Sequence, residues 1–457
     1  MRAILLTITT VFLQAALALS VGAQQQFEVS LVAAQQRALE SNKMLEVGRA
    51  GVAEAEGIQL QTWAGHLPSI SVSERALRTN NALSAFGFRL SRERVQQSDF
   101  VPEALNNPGG ITHFQTVLEV QQPLFNGGQT IYGRRQARAG VQAAQAQLRR
   151  GEQEVRLHTA EGYWGLVLAR EGLAAVRQAL ETARSHADQA RAHYEQQTAP
   201  LSDLLAAQVR VAELRGEEIA AQNRVAAGTD ELSLVMGLAS GVTVVPVDTL
   251  VYREMDASLD KLTGQALAGR ADLTAAALKV AGAGHGVQVA RAELLPHLNA
   301  FAQIGLDSEK LLERQGESWT VGAMVTWKIF SGFASVGAVR QARAQQGQAR
   351  ARREFLAAQT TREVAHAWRS VKAAQAQVGI AQEAVQQAEE RLRMTDLQYQ
   401  ETLVTATDLL DAETALTQTR IRRLQALHGL NVGLARMEFA VGRSLDNYSV
   451  SSRGGEK

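Results

Sequence analysis

Cysteine is absent from this sequence of 457 residues. Without thiols the chain can form no disulfide, no thiolate metal site, no cysteine nucleophile and no lipidated N-terminal cysteine. Aromatic residues are scarce at 5%, and the 47 Lys and Arg residues nearly balance the 46 Asp and Glu residues. A chain so close to neutral has no field strong enough to attract nucleic acid, so we expect no nucleic-acid partner.

Long apolar runs are scarce as well. Arg2 precedes a mostly apolar run over 3–19, and the small-residue pattern Val21-Gly22-Ala23 follows that run, as is typical of a secretory signal peptide. No later stretch approaches the roughly 18 apolar residues that a membrane-spanning helix requires. We therefore predict a signal peptide over 1–23 and an exported mature chain without a spanning helix.

Proline is rare, and its placement divides the chain. Only seven prolines occur, and the spans 129–197 and 334–401 contain none of them. Both spans are rich in Ala, Gln, Arg and Glu, and each is long enough for a helix of roughly 100 Å. A break and a second helical stretch follow each span. The sequence therefore predicts two helical hairpins, over about 129–238 and about 334–442.

The second hairpin repeats the first at a fixed separation of 205 residues. At that offset Phe125 aligns with Phe330, and Gly237 aligns with Gly442. A period this long is not that of a solenoid, whose repeats span about 20 to 50 residues, so it indicates a duplicated half. We divide the mature chain into a first repeat (24–238), a second repeat (239–442) and a C-terminal tail (443–457).

Upstream of each hairpin the apolar period changes from 3.6 to 2, which is the period of a strand with one apolar face. The predicted strands lie at about 67–74 and 114–122 in the first repeat, and at about 297–306 and 318–330 in the second. The segment 79–112 between the first two reads as a long surface loop.

Trp319 and Trp327 lie eight residues apart in the last predicted strand. This spacing matches the two aromatic girdles of an outer-membrane barrel, although a soluble sandwich strand fits the alternation equally well. Since single-chain barrels start at about eight strands, four strands cannot close a barrel with a pore. Three copies of the chain would supply twelve.

Three motifs at constant spacing carry a family resemblance. They are Gln122-Pro123-Leu124-Phe125-Asn126-Gly127-Gly128, its echo Ile329-Phe330-Ser331-Gly332, and Asp408-Leu409-Leu410-Asp411-Ala412. Over essentially the whole mature chain, the sequence resembles the TolC-like outer-membrane efflux proteins.

The resemblance implies a mainly α fold with a small β part. It implies a homotrimer, with a twelve-stranded β-barrel in the lipid of the bacterial outer membrane and a long α-helical barrel in the periplasm. It also implies docking, through a periplasmic adaptor (membrane fusion) protein, onto an inner-membrane pump for efflux or type I secretion. The alternative that the hairpins leave open is a periplasmic coiled-coil scaffold or adaptor that transports nothing.

In this family the hairpin turns form the periplasmic tip, which corresponds here to 197–203 and 402–408. The family has a glycine where this chain has Gln197 and Thr402, and a gate arginine where it has Val404. We expect the gate to open more easily or to be latched differently for lack of that arginine. The residues that the resemblance assigns to adaptor contact are Gln197, Pro200, Thr402 and Val404, and those that it assigns to the pore gate are Asp203, Tyr399, Asp408 and Asp411.

The spacing of Asp408 and Asp411 can also be interpreted without the family resemblance. Their i, i+3 spacing puts both carboxylates on one helix face, and threefold symmetry would turn each into an anionic ring that favours cations. The alternative for Asp408 is a capping box with Thr405 at the start of a helix. That alternative leaves Asp411 unassigned.

Other candidate sites are set aside. His186 and His193 are seven residues apart on one helix, which is not the three or four of zinc ligands, so we expect solvated surface histidines. Tyr163 and Trp164 have apolar neighbours one turn away and predict a packing anchor rather than a ligand site. With no convergent catalytic constellation, we expect no enzyme activity, no cofactor and no bound metal.

Overall fold

The structure is a computed structural model of the chain, and it describes residues 26–239, 241–311, 313–401 and 403–444. The predicted signal peptide and residues 445–457 of the predicted tail lie outside these residues. The chain divides into two compact units. One unit contains the described residues of 1–49, 147–273 and 356–457, and the other contains 50–146 and 274–355.

The described residues form strands and helices in an order that repeats. The strands are β1 (Gln26–Val29), β2 (Ser69–Thr79), β3 (Ile111–Phe125), β4 (Thr243–Pro246), β5 (His297–Ser308) and β6 (Gly316–Thr326). The helices are α1 (Leu31–Ser41), α2 (Lys43–Gln61), α3 (Ala82–Ser91), α4 (Pro102–Asn106), α5 (Gln129–Glu195), α6 (Leu201–Val235), α7 (Leu259–Gly269), α8 (Ala271–Ala292), α9 (Ala334–Gln400) and α10 (Ala406–Val441).

The two halves correspond element by element. The long helices α5 and α9 each contain 67 residues and begin 205 positions apart, as do the return helices α6 and α10. Upstream, the pairs α1 and α7, α2 and α8, and β2 and β5 each begin 228 positions apart. The predicted architecture of two pseudo-symmetric repeats, each with two long strands and one long hairpin, is confirmed, and each half also contains a short strand, β1 or β4, that was not predicted.

The junctions of the two halves share the same backbone conformation. The return helices are followed by Gly237 and Gly442, both left-handed with φ of 63° and 82°, as glycine after a helix commonly is. Before the long helices, Gly127 and Gly128 have positive φ, and so do their counterparts Gly332 and Phe333. The second copy therefore places a phenylalanine, at φ 67°, where the first has a glycine.

The second unit contains an antiparallel sheet in the order β2-β3-β5-β6. Opposed residues point to the same face, so the register sorts the side chains into two faces. On one face, the rows include Ile70, Val72, Leu118, Val120, Ala302, Ile304, Trp319 and Val321, all apolar. On the other face, two neighbouring rows hold six polar residues, together with Val117 and Gly305: Ser71, Ser73, Glu119, Gln303, Ser318 and Thr320.

The last strand of the sheet, β6, ends earlier than predicted. β6 ends at Thr326, so Trp319 lies within it and Trp327 lies just beyond it. The indole Nε1 of Trp327 donates to the carbonyl of Leu294 at 3.1 Å, and the chain then turns through Gly332 towards α9. Because this turn takes the backbone out of the sheet, the alternation of apolar residues in the sequence continues beyond the end of the strand.

Some elements of the second unit were missed. The segment 79–112, predicted as a loop, contains α3 and α4. The side chain of Asn81 caps α3 by accepting from the backbone N–H of Ser84 at 3.0 Å. Among the described residues, no helix combines the length and apolar composition needed to cross a membrane.

The first unit is built around the helices of both hairpins and a short parallel pair, β1 and β4. Tyr163 and Trp164 are buried at its centre together with Leu232, Met236 and Met437, so the predicted packing anchor is confirmed. The Tyr163 hydroxyl lies 3.0 Å from the carbonyl oxygen of Val29 and 2.7 Å from the Asp248 carboxylate. These contacts join the short parallel pair to α5.

Candidate functional site at the hairpin turns

The first hairpin turn is tight and left-handed at one residue. Gln197 has φ of 61°, a conformation that costs a residue with a Cβ about 1–2 kcal/mol. Its N–H donates to the carbonyl of Tyr194, and the N–H of Thr198 donates to the carbonyl of His193, both at 2.9 Å. Pro200 follows as the N-cap of α6. The turn therefore adopts the backbone of a glycine turn without the glycine.

The second turn repeats one of these bonds. The N–H of Leu403 donates to the carbonyl of Gln398 at 2.8 Å, and these residues are the counterparts of Thr198 and His193 at the offset of 205. Thr402 lies outside the described residues. Val404 is half-buried, and Leu403 is 74% exposed. An apolar side chain therefore stands at the end of this turn.

Asp408 forms the capping box. Its carboxylate accepts from the N–H of Thr405 at 3.0 Å and from the Thr405 hydroxyl at 2.6 Å, while its own N–H donates to that hydroxyl at 3.3 Å. The bonds from Thr405 lower the pKa of the Asp408 carboxyl, so it is ionised at neutral pH. Both charge and position are thereby held at the start of α10.

Asp411 lies one turn further along α10 and is exposed. Within the described residues it makes no hydrogen bond or ion pair that would explain its position. A capping function therefore accounts for Asp408 but not for Asp411.

Tyr399 on α9 and Asp203 on α6 are coupled by charge across the two hairpins. Burial, and then the negative charge of Asp203, raise the pKa of the Tyr399 phenol. Asp203 also accepts from the hydroxyl of Ser202 at 3.2 Å. Of the four residues assigned to a gate, Tyr399 on α9 and Asp203 on α6 therefore interact across the hairpins.

A further contact between the hairpins was missed. His186, expected to be solvated, has a side chain only 18% exposed, and its Nδ1 lies 2.6 Å from Oε1 of Glu413 on α10. The prediction was wrong because it considered His186 with its histidine neighbour alone. Glu413 interrupts the buried stripe of Leu409, Ala412 and Leu416, and a charge at such a position signals a partner.

Solved structures share this fold over nearly the whole chain. The structure of CusC matches with a TM-score of 0.77 and 18% identity, covering 93% of this chain and 96% of that one. VceC, an outer membrane protein of Vibrio cholerae, matches with a TM-score of 0.75 and 20% identity, covering 91% and 96%. The CmeC outer membrane channel of Campylobacter jejuni matches with 0.76 and 17%, covering 90% and 85%.

Sequence comparison gives the family directly. No curated protein matches the chain, but the model of the outer membrane efflux protein family matches residues 34–238 and 262–443. These matches cover both repeats, and the predicted fold of the trimeric outer-membrane channels is confirmed. A scaffold that transports nothing is not favoured. The chain belongs to the outer membrane efflux protein family and is an efflux channel of the bacterial outer membrane.

Proposed function

We propose that three copies of this chain form one exit duct, that the hairpin turns dock onto a periplasmic adaptor bound to an inner-membrane pump, and that the acidic residues beside the turns gate the duct. The observation that carries the proposal is the four-stranded sheet with one apolar face. Its edge strands β2 and β6 are each paired on one side only. In lipid an unpaired strand edge costs several kcal/mol per polar group, so edges must meet neighbouring copies.

The register supports the assignment of Trp319 to a girdle. The row that contains Trp319 also holds Val72, Leu118 and Ile304, and the next row towards the α3 end holds Glu74, Thr116, Leu306 and Glu317. Trp319 thus stands where apolar rows give way to charged ones, as girdle residues do. Trp327, eight residues away, marks the opposite boundary in this proposal.

Exposed apolar side chains support adaptor docking at the turns. Leu201 and Leu403 are 47% and 74% exposed, and they adjoin the residues assigned to adaptor contact: Gln197, Pro200, Thr402 and Val404. A protein partner that covers these leucines gains free energy by removing them from water. A Val404→Cys crosslink to the adaptor is therefore expected, whereas Arg352→Cys, on α9 at an exposed position far from the turn, serves as the negative control.

The gate is assigned to Asp203, Tyr399, Asp408 and Asp411. Three copies of Asp411 around one axis form an anionic ring, which favours cations over anions. Asp408 contributes a second ring while also capping α10. In this proposal the exposed, unpartnered carboxylate of Asp411 is free for selectivity because no helix cap depends on it.

Single-channel recording in a planar bilayer tests the gate. Asp411→Asn is expected to reduce the preference for K⁺ over Cl⁻ and to leave thermal stability unchanged. Thr405→Ala, which removes a cap but no charge, is expected to reduce stability by about 1 kcal/mol and to keep the preference. Unchanged selectivity in an Asp408→Asn, Asp411→Asn double variant contradicts the gate assignment.

A further inference from the structure

A buried acid–base pair joins the two hairpins close to their turns. His186 lies on α5, eleven residues before Gln197, and Glu413 lies on α10, eight residues after Thr405. At 1.5 Å per residue these positions are about 16 Å and 12 Å from the turns. The pair therefore connects the first repeat to the second at a point where a small rotation of either hairpin moves its turn.

The contact is short and enclosed. His186 Nδ1 and Glu413 Oε1 are 2.6 Å apart, and the two side chains are 18% and 10% exposed. Neither atom has a well-aligned hydrogen bond within the described residues, so charge attraction accounts for their approach. A neutral imidazole would meet the carboxylate either through a repelling lone pair or through one uncharged N–H donor, so the charge attraction of this pair requires protonated His186.

The neighbouring side chains favour the protonated form of His186. The pairing with Glu413 raises the pKa of His186, burial opposes this effect, and the charges of Glu413 and of Asp396 on α9 raise the pKa further. On α6, Arg210 faces the same space as Glu413 but pairs with Glu213 at 3.2 Å and Glu217 at 3.7 Å. On α5 itself, Arg184 and Asp188 each lie two residues from His186, and Arg184 pairs with Glu181 at 3.6 Å. On α10, Arg420 lines the same cavity as Glu413 and pairs with Glu389 at 2.9 Å.

Water can reach the pair. Glu413 and Arg210 line a cavity of about 230 Å³, together with Gln178, Thr182 and Leu214. A cavity of this size holds several water molecules. Water can therefore reach the Glu413 side of the pair without the helices separating first.

We propose that His186 and Glu413 form a proton-dependent tie between the two hairpins, which holds the turns together while His186 is charged and releases them when it is neutral. The further step, in which release of the tie opens the duct, rests on the proposed function of the turns as its gate.

The direction of the pH response follows from the charge of the pair. A histidine whose pKa is raised by its partner contributes its full stabilisation below its unfolded pKa, near 6.5. That stabilisation is lost as the pH rises through the higher folded value. The tie is therefore complete in mildly acidic medium and weakens in alkaline medium.

Bilayer recording of the full-length trimer, with the pH on the side of the hairpin turns raised from about 6 to about 9, measures the response. We expect the open fraction to rise with pH, by at most about tenfold per pH unit for each proton released. His186→Gln and Glu413→Gln are each expected to raise the open fraction at pH 6 and to abolish the response. The double variant is expected to match either single variant.

His158→Gln is the matched control. His158 also lies on α5, but it is 56% exposed and pairs only with Glu154 and Glu161 of its own helix, so its loss should leave the response intact. A response that persists in His186→Gln, or one that His158→Gln abolishes, overturns the tie.

A distance measurement separates the tie from the gate. Because the chain has no cysteine, Gln196→Cys and Glu401→Cys place one spin label on each turn. We expect the distance distribution between the labels to broaden with rising pH in the otherwise wild-type chain and to be broad at every pH with His186→Gln. If the distance responds and the conductance does not, the tie stands and the turns are not the gate. A distance that is independent of pH overturns the tie.

Discussion

The imidazole of His113 lies flat against the ring of Phe88, with the centroids 3.9 Å apart and the planes 3° from parallel. Phe88 lies on α3, in the segment between β2 and β3, and His113 lies on the polar face near the start of β3. The stacking therefore fastens α3 to the polar face of the sheet, at the end of the strands away from the helical hairpins.

A buried charge cluster completes this attachment. The Arg92 side chain is 2% exposed and pairs with Glu309 at 3.2 Å, and its guanidinium also donates to the carbonyl of Thr112. On the other side of the His113 ring, Nε2 lies 3.0 Å from Oδ1 of Asp307. Arg92 therefore ties the segment that follows α3 to β3, through Thr112, and to the end of β5, through Glu309.

The first prediction concerns Arg92. Arg92→Met leaves the buried Asp307 without a neighbouring guanidinium and Glu309 without its ion-pair partner, and removal of one partner from a buried charge cluster is strongly destabilising. We expect the segment 80–110 to detach and to be cleaved several-fold faster by chymotrypsin in intact reconstituted trimers. Arg94→Met, at an exposed position next to it, should cleave at the wild-type rate; equal rates for the two variants contradict the attachment.

The second prediction concerns the buried ion cluster of the first unit. Arg270 is 2% exposed and bonds Asp272 at 2.7 Å and Glu363 at 2.6 Å. Arg270→Met should lower the stability by about 3–5 kcal/mol, because two carboxylates lose their buried partner. The temperature at which the trimer dissociates in detergent gives the measurement. Arg393→Met, which breaks an exposed pair with Glu390, should shift that temperature little.

The third prediction is the pH dependence of the same cluster. Burial alone would raise the pKa of Asp272, but the bonds and charge of Arg270 outweigh burial and lower it below 3.8. A carboxyl with a lowered folded pKa stabilises the protein above its unfolded pKa, and this stabilisation is lost as the pH falls through the folded value. We expect an acid-induced loss of thermal stability below about pH 4 that Asp272→Asn reduces.

The large features of this fold could be predicted from the sequence because they depend on repetition and period. The break between α5 and α6 recurs between α9 and α10 at the same offset, so each copy corroborates the other. The alternation around Trp319 marked β6 because one face of that strand meets lipid. Both signals are local, and each extends over many residues.

Contacts between distant elements could not be predicted in this way. The pairing of His186 with Glu413 depends on how α5 packs against α10, and no local pattern around His186 specifies that packing. Helix α3 was missed because its ten residues are stabilised by contacts with the sheet, such as Phe88 on His113, and not by a long apolar stripe. Val404 was recognised as a departure from the family, but its consequence depends on neighbours that the sequence does not name.

The fourth prediction tests the two faces of the sheet. Val321 is 68% exposed on the apolar face of β6, and Thr320 points to the polar face. Val321→Arg should lower the stability of the membrane-inserted trimer by less than the roughly 2–4 kcal/mol that arginine on the lipid face costs at the midplane, since Val321 lies between the boundary at Trp319 and the midplane. Thr320→Arg serves as the matched control and should assemble normally, as judged by heat-modifiable migration of the outer-membrane fraction. The reverse pattern would contradict the assignment of the faces.

The fifth prediction concerns backbone strain at the first turn. Gln197→Gly removes the Cβ from a residue at φ 61°, and we expect a gain of about 1 kcal/mol in local stability. Slower amide hydrogen exchange at Thr198, whose N–H bonds the carbonyl of His193 at 2.9 Å, gives the measurement. Gln197→Ala keeps a Cβ and should give no gain. Equal exchange rates for the glycine and alanine variants would show that the gain comes from loss of the Gln197 side chain and not from the backbone.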